Sequence, residues 1–286
     1  MKRKSFEAFM EGVFIVSALM SVISIILICY FIFAGGLPFI SNYGIKDFLL
    51  GSQWKPSNTP PSYGILPMIL GSIYVTLGAT AIGVPIGILT ATYLAKFCDK
   101  RLYKYLKPAI NLMSGIPSIV YGFFGLTVLV PIMRDYFGGT GMSIATASIL
   151  LAIMILPTII GMSEASIRTV PASYYEGSIA LGASHERSIM KVILPAARSG
   201  ILSSVILGIG RAIGETMAVI LVAGNQARMP KGLFKGVRTM TTNIVMEMAY
   251  AADQHREALI ATAAVLFVFI LVINIVFLII KRRGQI

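Results

Sequence analysis

EGSIALGASHERSIMKVILP, Glu176 to Pro195, lies between two long apolar segments and is the longest markedly polar interruption in the second half of the chain that also has the pattern of a helix pair. It reads as two short helices around a turn. Pro171 can open the first helix without wasting a backbone donor, and Ser173, three residues before Glu176, offers a competing capping-box start. Either start gives a helix ending at Leu181. Gly182 then supplies the positive φ of a tight helix stop, Ser184 can cap the next helix, and Glu186 sits where a helix N-terminus favours negative charge. The second helix runs to about Leu194, and Pro195 is expected to stop it. On physical grounds alone, a solvated connection and a paired-helix element held by another protein fit this pattern equally well.

The composition around this stretch is that of an integral membrane protein. Hydrophobic residues make up 56% and charged residues 13% of 286, where ordinary globular domains carry about a quarter charged. The formal charge of +12 does not point to nucleic acid, because the basic residues fall in the gaps between apolar runs instead of on one soluble face. The opening MKRK is followed by an apolar run, Val13 to Ala34, that exceeds a signal-peptide core of about 7–15 residues and reads as a retained span. Cys29 and Cys98 are expected at different depths, so neither a disulfide nor a metal site is supported.

A helix needs about 20 mostly apolar residues to cross the hydrocarbon core. Six stretches qualify, at roughly 13–34, 66–95, 108–132, 143–162, 200–223 and 258–280, so the expected fold class is all-α and polytopic. With a cytoplasmic N-terminus, fifteen Lys and Arg residues fall in inner connections and eight in outer ones, leaving Arg211 within a span. That asymmetry places both termini and the Glu176 loop inside. Residues 1–65 form a first span with an external connection, and 66–283 a core with its cytoplasmic loop at about 164–199. The lone Trp54, among Pro56, Pro60 and Pro61, reads as an interfacial anchor. A helix over about 239–251 would align Met240, Ile244 and Met248 on one face, covering the outer mouth.

Within the spans, Ala79, Gly83 and Gly87 recur every four residues and predict a close packing seam, against this chain or another subunit. NLMSGIPSIVYGFFG, Asn111 to Gly125, carries Gly115, Pro117 and Gly122, which predict a bent or unwound third span. Glu164 and Arg168, four apart at the inner end of the fourth span, form a modest stabilising pair. The fifth span contains GIGRAIGETMAVILVAGN, Gly208 to Asn225. Arg211 sits near mid-membrane, where insertion scales put an Arg at roughly +2.5 to +3.5 kcal/mol, so it requires an inward or wet face and a partner. Glu215, one turn on in a continuous helix, is the expected partner. The pair is then either a structural ion pair or a site where the guanidinium meets an oxyanion while the carboxylate prevents permanent trapping.

Two resemblances sharpen these readings. Glu176-Gly177-Ser178, then Gly182, then Val192-Ile193-Leu194-Pro195 resembles the loop by which ABC importer permeases dock their cytoplasmic ATPase. Gly177-Ser178 stands where Ala-Ala is usual, and Val192 where Ile is. RAIGETMAV followed by AGN, together with GLPF from Gly36, YGILPMILGSIYVT from Tyr63 and GIPSIVYG, resembles the C-type, PstC-like membrane subunit of phosphate ABC importers over nearly the whole chain. Sulfate and molybdate permeases share the Arg-x-x-Gly-Glu core, and Thr216-Met217 favours phosphate. The resemblance implies a type I ABC importer permease fold in the inner membrane. It implies an ATPase-coupling surface of Glu176, Gly177, Ser178, Gly182, Leu194 and Pro195, and a substrate pathway of Arg211, Glu215, Thr216, Ser114, Pro117 and Ser118. The implied partners are a homologous A-type permease subunit, two ATPase subunits, an extracytoplasmic phosphate-binding protein, phosphate and membrane lipid. No cofactor is expected in this chain, ATP and magnesium belonging to the ATPase. No GxxxxGK[ST] loop and no HExxH motif occurs, and His185 and His255 are expected on opposite membrane faces, so no catalytic group is expected. An ion-coupled anion carrier is the rival class, but such carriers commonly show repeated halves, which are not visible here.

Overall fold

The computed structural model describes the backbone of residues 2–283 and the side chains of residues 7 and 9–279. Lys2, Arg3, Lys4, Lys281, Arg282 and Arg283, read above as inner charges, therefore lie outside the residues whose side chains are described. Helix α1 (Lys2–Tyr43) runs on through Gly35 and Pro38, well past the expected end near Ala34. A short cap follows, made of α2 (Ile45–Leu50) and a two-residue antiparallel pair, β1 (Trp54–Lys55) and β2 (Ser62–Tyr63), with Trp54 opposite Tyr63. Then come α3 (Leu66–Thr92), closed by a π-helical turn at Tyr93–Phe97, and α4 (Lys100–Gly115). The third span is α5 (Ser118–Phe124), a π turn at Gly125–Leu129 and α6 (Val130–Phe137). Helix α7 (Ile144–Arg168) leads into α8 (Ala172–Ala180), α9 (His185–Ser188), a π turn at Ile189–Ile193 and α10 (Leu194–Ala196). The remainder is α11 (Arg198–Gly214), α12 (Met217–Val222), α13 (Met240–Glu247) and α14 (Asp253–Arg283).

Among the described residues, five helical stretches are long and apolar enough to cross a membrane, and the pair His185–Ala196 and Arg198–Gly214, bent by 69°, makes a sixth candidate. Two spans differ from expectation. The third runs from Ser118 to Phe137, not 108–132. Lys100, Arg101, Lys104 and Lys107 make α4 a separate amphipathic helix with no buried residue, and Ile116, extended at ψ 125° ahead of Pro117, ends it. The fifth span is broken: α11 stops at Gly214, and Glu215 is extended at φ −68° and ψ 130° before α12 begins.

Helix α7 is the hub. The small-residue seam of α3 packs on it within this chain: a Cβ at Gly83 would lie 2.9 Å from Ile155, and one at Gly87 2.7 Å from Ile159. Ile159 also fills the notch at Gly208 of α11, 2.9 Å from where a Cβ would stand. Ser163 and Ser204, both fully buried, join α7 to α11 by a 2.6 Å hydrogen bond. Helix α1 is exposed over most of its length and packs mainly on α14, where a Cβ at Gly36 would lie 2.9 Å from Ala261 Cα.

Trp54 is not a lipid-facing anchor. It is 5% exposed, packs edge-on against Tyr63 and His255, and donates its indole N–H to Glu247 Oε2 at 2.8 Å. Glu247 also accepts from Arg238 and meets His255 Nε2 at 2.8 Å, so α13, the cap and the start of α14 form one piece. A buried indole needs an acceptor, and a buried carboxylate needs donors. Helix α13 is shorter than expected. Thr239 and Thr242 form a reciprocal cap at its start, Met240 is buried, and Met248 packs against the same cluster.

Candidate functional site

The polar loop folds as its sequence indicates. Pro171 precedes α8, so of the two possible starts the proline one is used, and Glu176 does not close a capping box with Ser173. Gly182, at φ +84°, ends α8 in a Schellman turn: its N–H reaches Ile179 O at 2.8 Å and the Ala183 N–H reaches Ser178 O at 3.1 Å. Ser184 accepts from the Arg187 N–H at 3.3 Å. The backbone amide of Glu186, and after it the Ser184 hydroxyl, hold the exposed Glu186 carboxyl below the usual carboxylate range. Pro195 does not stop the second helix. A π turn precedes it and Pro195 sits in the first turn of α10, where a missing N–H costs nothing, so the bend falls at Ala197 instead.

The two halves of the loop divide the work. Ile189 and Ile193 are fully buried, and His185 packs its ring 5.1 Å from Phe97 while its Nδ1 meets the Tyr175 hydroxyl at 2.9 Å. Helix α8 buries nothing, and Leu181 at its tip is 90% exposed. Glu176, Gly177 and Gly182 are exposed, with Ser178 half-buried beside them.

In the broken fifth span, Arg211 and Glu215 do not pair. The four-residue spacing would bring them together only in a continuous helix, and this one ends between them. Glu215 Oε1 instead accepts the Ala218 N–H at 3.2 Å, capping α12, while the Glu215 carbonyl accepts the Thr241 hydroxyl at 3.1 Å. Arg211 Nη1 donates to Thr158 Oγ1 at 3.3 Å and has no carboxylate partner among the described residues. The guanidinium lines a cleft of about 670 Å³ between α7, α11 and α14, together with Thr158, Ser203 and Asn274. Thr158 and Asn274 escape a reading based on charge, yet Asn274 is the lone amide in the apolar run 263–279, a signal present in the sequence.

The remaining expected pathway residues lie elsewhere. Thr216 turns its hydroxyl back to Gly214 O at 3.2 Å, and Ser114 bonds Asn111 O at 2.7 Å. Pro117 borders a second cleft with Asn111, Gly115 and Ile116. Neither Ser114 nor Ser118 lines the Arg211 cleft. The two helix breaks are nonetheless neighbours: α5 packs on α12, and a Cβ at Gly122 would come within 2.8 Å of Ala218 Cα. Tyr121 spans the first break, its hydroxyl reaching Met113 O at 2.8 Å.

Residues 83–284 match the model of the family described as binding-protein-dependent transport system inner membrane component. The chain belongs to this family. The permease is 39% identical over 236 residues, 82% of its own length and 76% of the relative's, to a probable ABC transporter permease protein YqgH of Bacillus subtilis. It is 34% identical over 272 residues, 88% and 86% of the two chains, to a probable phosphate transport system permease protein PstC of Methanocaldococcus jannaschii. Its fold is that of type I ABC importer permeases. A bacterial alginate ABC transporter chain aligns with a TM-score of 0.67 at 18% identity, covering 95% of the permease and 94% of that chain. An inward-facing MetNI methionine ABC transporter chain gives 0.59 at 19% identity, over 77% and 94%. Membership makes the permease a multi-pass inner-membrane subunit that works with separate ATPase subunits and a binding protein.

Proposed function

We propose that the permease is the C-type half of an ATP-driven importer that moves inorganic phosphate into the cytoplasm by alternating access. The observation that carries this reading is Arg211, a permanently charged fork inside a span, without a carboxylate partner among the described residues and facing a mainly apolar cleft into which Thr158, Ser203 and Asn274 bring two hydroxyls and an amide. Phosphate offers oxygens spaced for bidentate contact, and the relatives named as phosphate permeases support this choice over sulfate, molybdate or phosphonate. In this conformation Glu215 caps α12, and the guanidinium bonds the Thr158 hydroxyl but no carboxylate among the described residues. Closing the break into continuous helix would bring Glu215 one turn from Arg211 and give the cation a substitute partner once the anion leaves.

The exposed α8, with Glu176, Gly177, Ser178 and the Gly182 turn, enters a groove of the ATPase, and Leu194 and the exposed Pro195 complete the ATPase-coupling surface at the far end of the loop. The pathway residues are Arg211, Glu215 and Thr216, with Ser114, Pro117 and Ser118 shaping the neighbouring break. Both termini and this loop face the cytoplasm, and residues 66–283 form the transport core behind the first span and its cap. ATP and magnesium reside on two ATPase subunits, the second half of the pathway comes from an A-type permease, and phosphate arrives from an extracytoplasmic binding protein.

The test is uptake of labelled phosphate by the complete assembly reconstituted in vesicles, with sulfate and molybdate as competitors and Arg211→Ala alongside. Uptake that requires the ATPase, resists both competitors and falls at least about tenfold in Arg211→Ala, the worth of one charge-assisted bond, is expected. Uptake surviving removal of the ATPase would point to an ion-coupled carrier. A normally assembled Arg211→Ala complex working at full rate would remove Arg211 from the pathway.

A further inference from the structure

A dense cluster of charge around a buried carboxylate lies away from the Arg211 cleft, at the inner end of α7. Glu164, 1% exposed, accepts the Tyr103 hydroxyl on Oε1 at 2.8 Å, Arg168 Nε on the same oxygen at 2.8 Å, and Lys107 Nζ on Oε2 at 2.6 Å. Arg168 Nη2 also donates to Leu94 O at 2.7 Å, and its guanidinium lies 4.7 Å from the centre of the Tyr103 ring. The Leu94 carbonyl belongs to the π turn that closes α3, where the widened winding leaves helix-end acceptors to be satisfied from outside. One carboxylate thus fastens the ends of three elements, α3, α4 and α7. Hydrogen bonds to the carboxylate keep the Tyr103 hydroxyl protonated well above the ordinary tyrosine range, so this donor is permanent at physiological pH.

We propose that Glu164 is a positioning residue that makes these three ends a single rigid lever between the coupling loop and the break at Gly115–Pro117. The inference rests on the coupling role given above to the loop. Its input end is the loop itself: Arg168 precedes Pro171 by three residues, and His185 packs on Phe97 of the same π turn. Its output end is α4, which buries no residue fully, packs the half-buried Leu106 and Ile110 on the body, and is tied to Glu164 of α7 through Lys107 and Tyr103. That polar attachment gives a push on the loop a stiff route to the third-span break. Glu164 is buried while Lys107 and Arg168 reach partly into solvent, so withdrawing either cation leaves the buried carboxylate short of a donor and the attachment resists opening.

Lys107→Met removes the charged tie of α4 and leaves the Tyr103 hydrogen bond and the Glu164–Arg168 pair in place. In the reconstituted complete assembly it is expected to preserve basal ATP hydrolysis and to lower phosphate moved per ATP about tenfold, within the usual range of site-to-site coupling. Lys107→Arg, which keeps the cation, is expected to restore most of that ratio. The thermal unfolding midpoint of each assembly separates lost coupling from lost folding: if Lys107→Met unfolds early, Lys107→Arg with Tyr103→Phe supplies the comparison at intact stability. An unchanged phosphate-to-ATP ratio in folded Lys107→Met, or in Tyr103→Phe if only that variant folds, overturns the proposal. A separate probe tests the reading beneath it. Leu181→Cys, in a chain with Cys29 and Cys98 replaced by Ser, should crosslink to the ATPase in the otherwise unsubstituted assembly, and failure there overturns the coupling loop itself.

Discussion

Glu215 shows how a single side chain can serve a role that spacing conceals. Its carboxylate caps α12 through the Ala218 N–H, a task an amide oxygen performs equally well. Glu215→Gln should therefore leave the unfolding midpoint of the solubilised assembly within measurement error, whereas Glu215→Ala should cost about 0.5–2 kcal/mol, the usual worth of a helix cap. If Glu215 also relieves Arg211 of its anion, Glu215→Gln should slow phosphate turnover while binding-protein docking is unaffected, since only the charge is lost. Equal stability of the Ala and Gln variants would refute the capping role. Sequence reading found Arg211 because an intramembrane charge stands out against 56% hydrophobic residues. It misassigned the partner because the four-residue rule assumes a continuous helix, and nothing in Gly214-Glu215-Thr216 forces a break as a proline would.

At the scale of elements, glycine spacing was the most dependable guide. The Ala79, Gly83 and Gly87 seam meets Ile155 and Ile159 of α7, and Gly208 of α11 meets Ile159 from the other side. Gly87→Val should overpack this junction by about 1–3 kcal/mol and lower the unfolding midpoint. Gly161→Ala, two residues beyond Ile159 where a Cβ meets nothing within 4 Å, should be neutral or stabilising by about 0.5–1 kcal/mol. If both changes behaved alike, the seam would have to lie elsewhere. The limits of the third span were misjudged for a different reason. Apolar residues run on both sides of Pro117, and hydropathy cannot distinguish an amphipathic helix ending at Gly115 from the first turns of a span. The basic residues of α4 and the restriction ahead of Pro117 carry that distinction, but only as side-chain periodicity and backbone sterics.

For the whole molecule, the six apolar stretches and the polar loop were legible because bilayer thickness and loop charge act on composition directly. The cap was not: Trp54, Arg238, Glu247 and His255 are up to 201 positions apart in the chain, and no local rule pairs them. Orientation can be tested with single cysteines in a Cys29→Ser, Cys98→Ser background. An impermeant maleimide should label Tyr250→Cys on sealed cells and Leu181→Cys only in inverted vesicles, both positions being well exposed. The opposite pattern would invert the topology and with it the direction of transport. The pairing of α1 with α14 has its own outcome during synthesis. Helix α1 leaves the ribosome well before α14, its main helical companion, so the newborn chain must keep a long, greasy helix waiting in the bilayer until every helix between the two has been made.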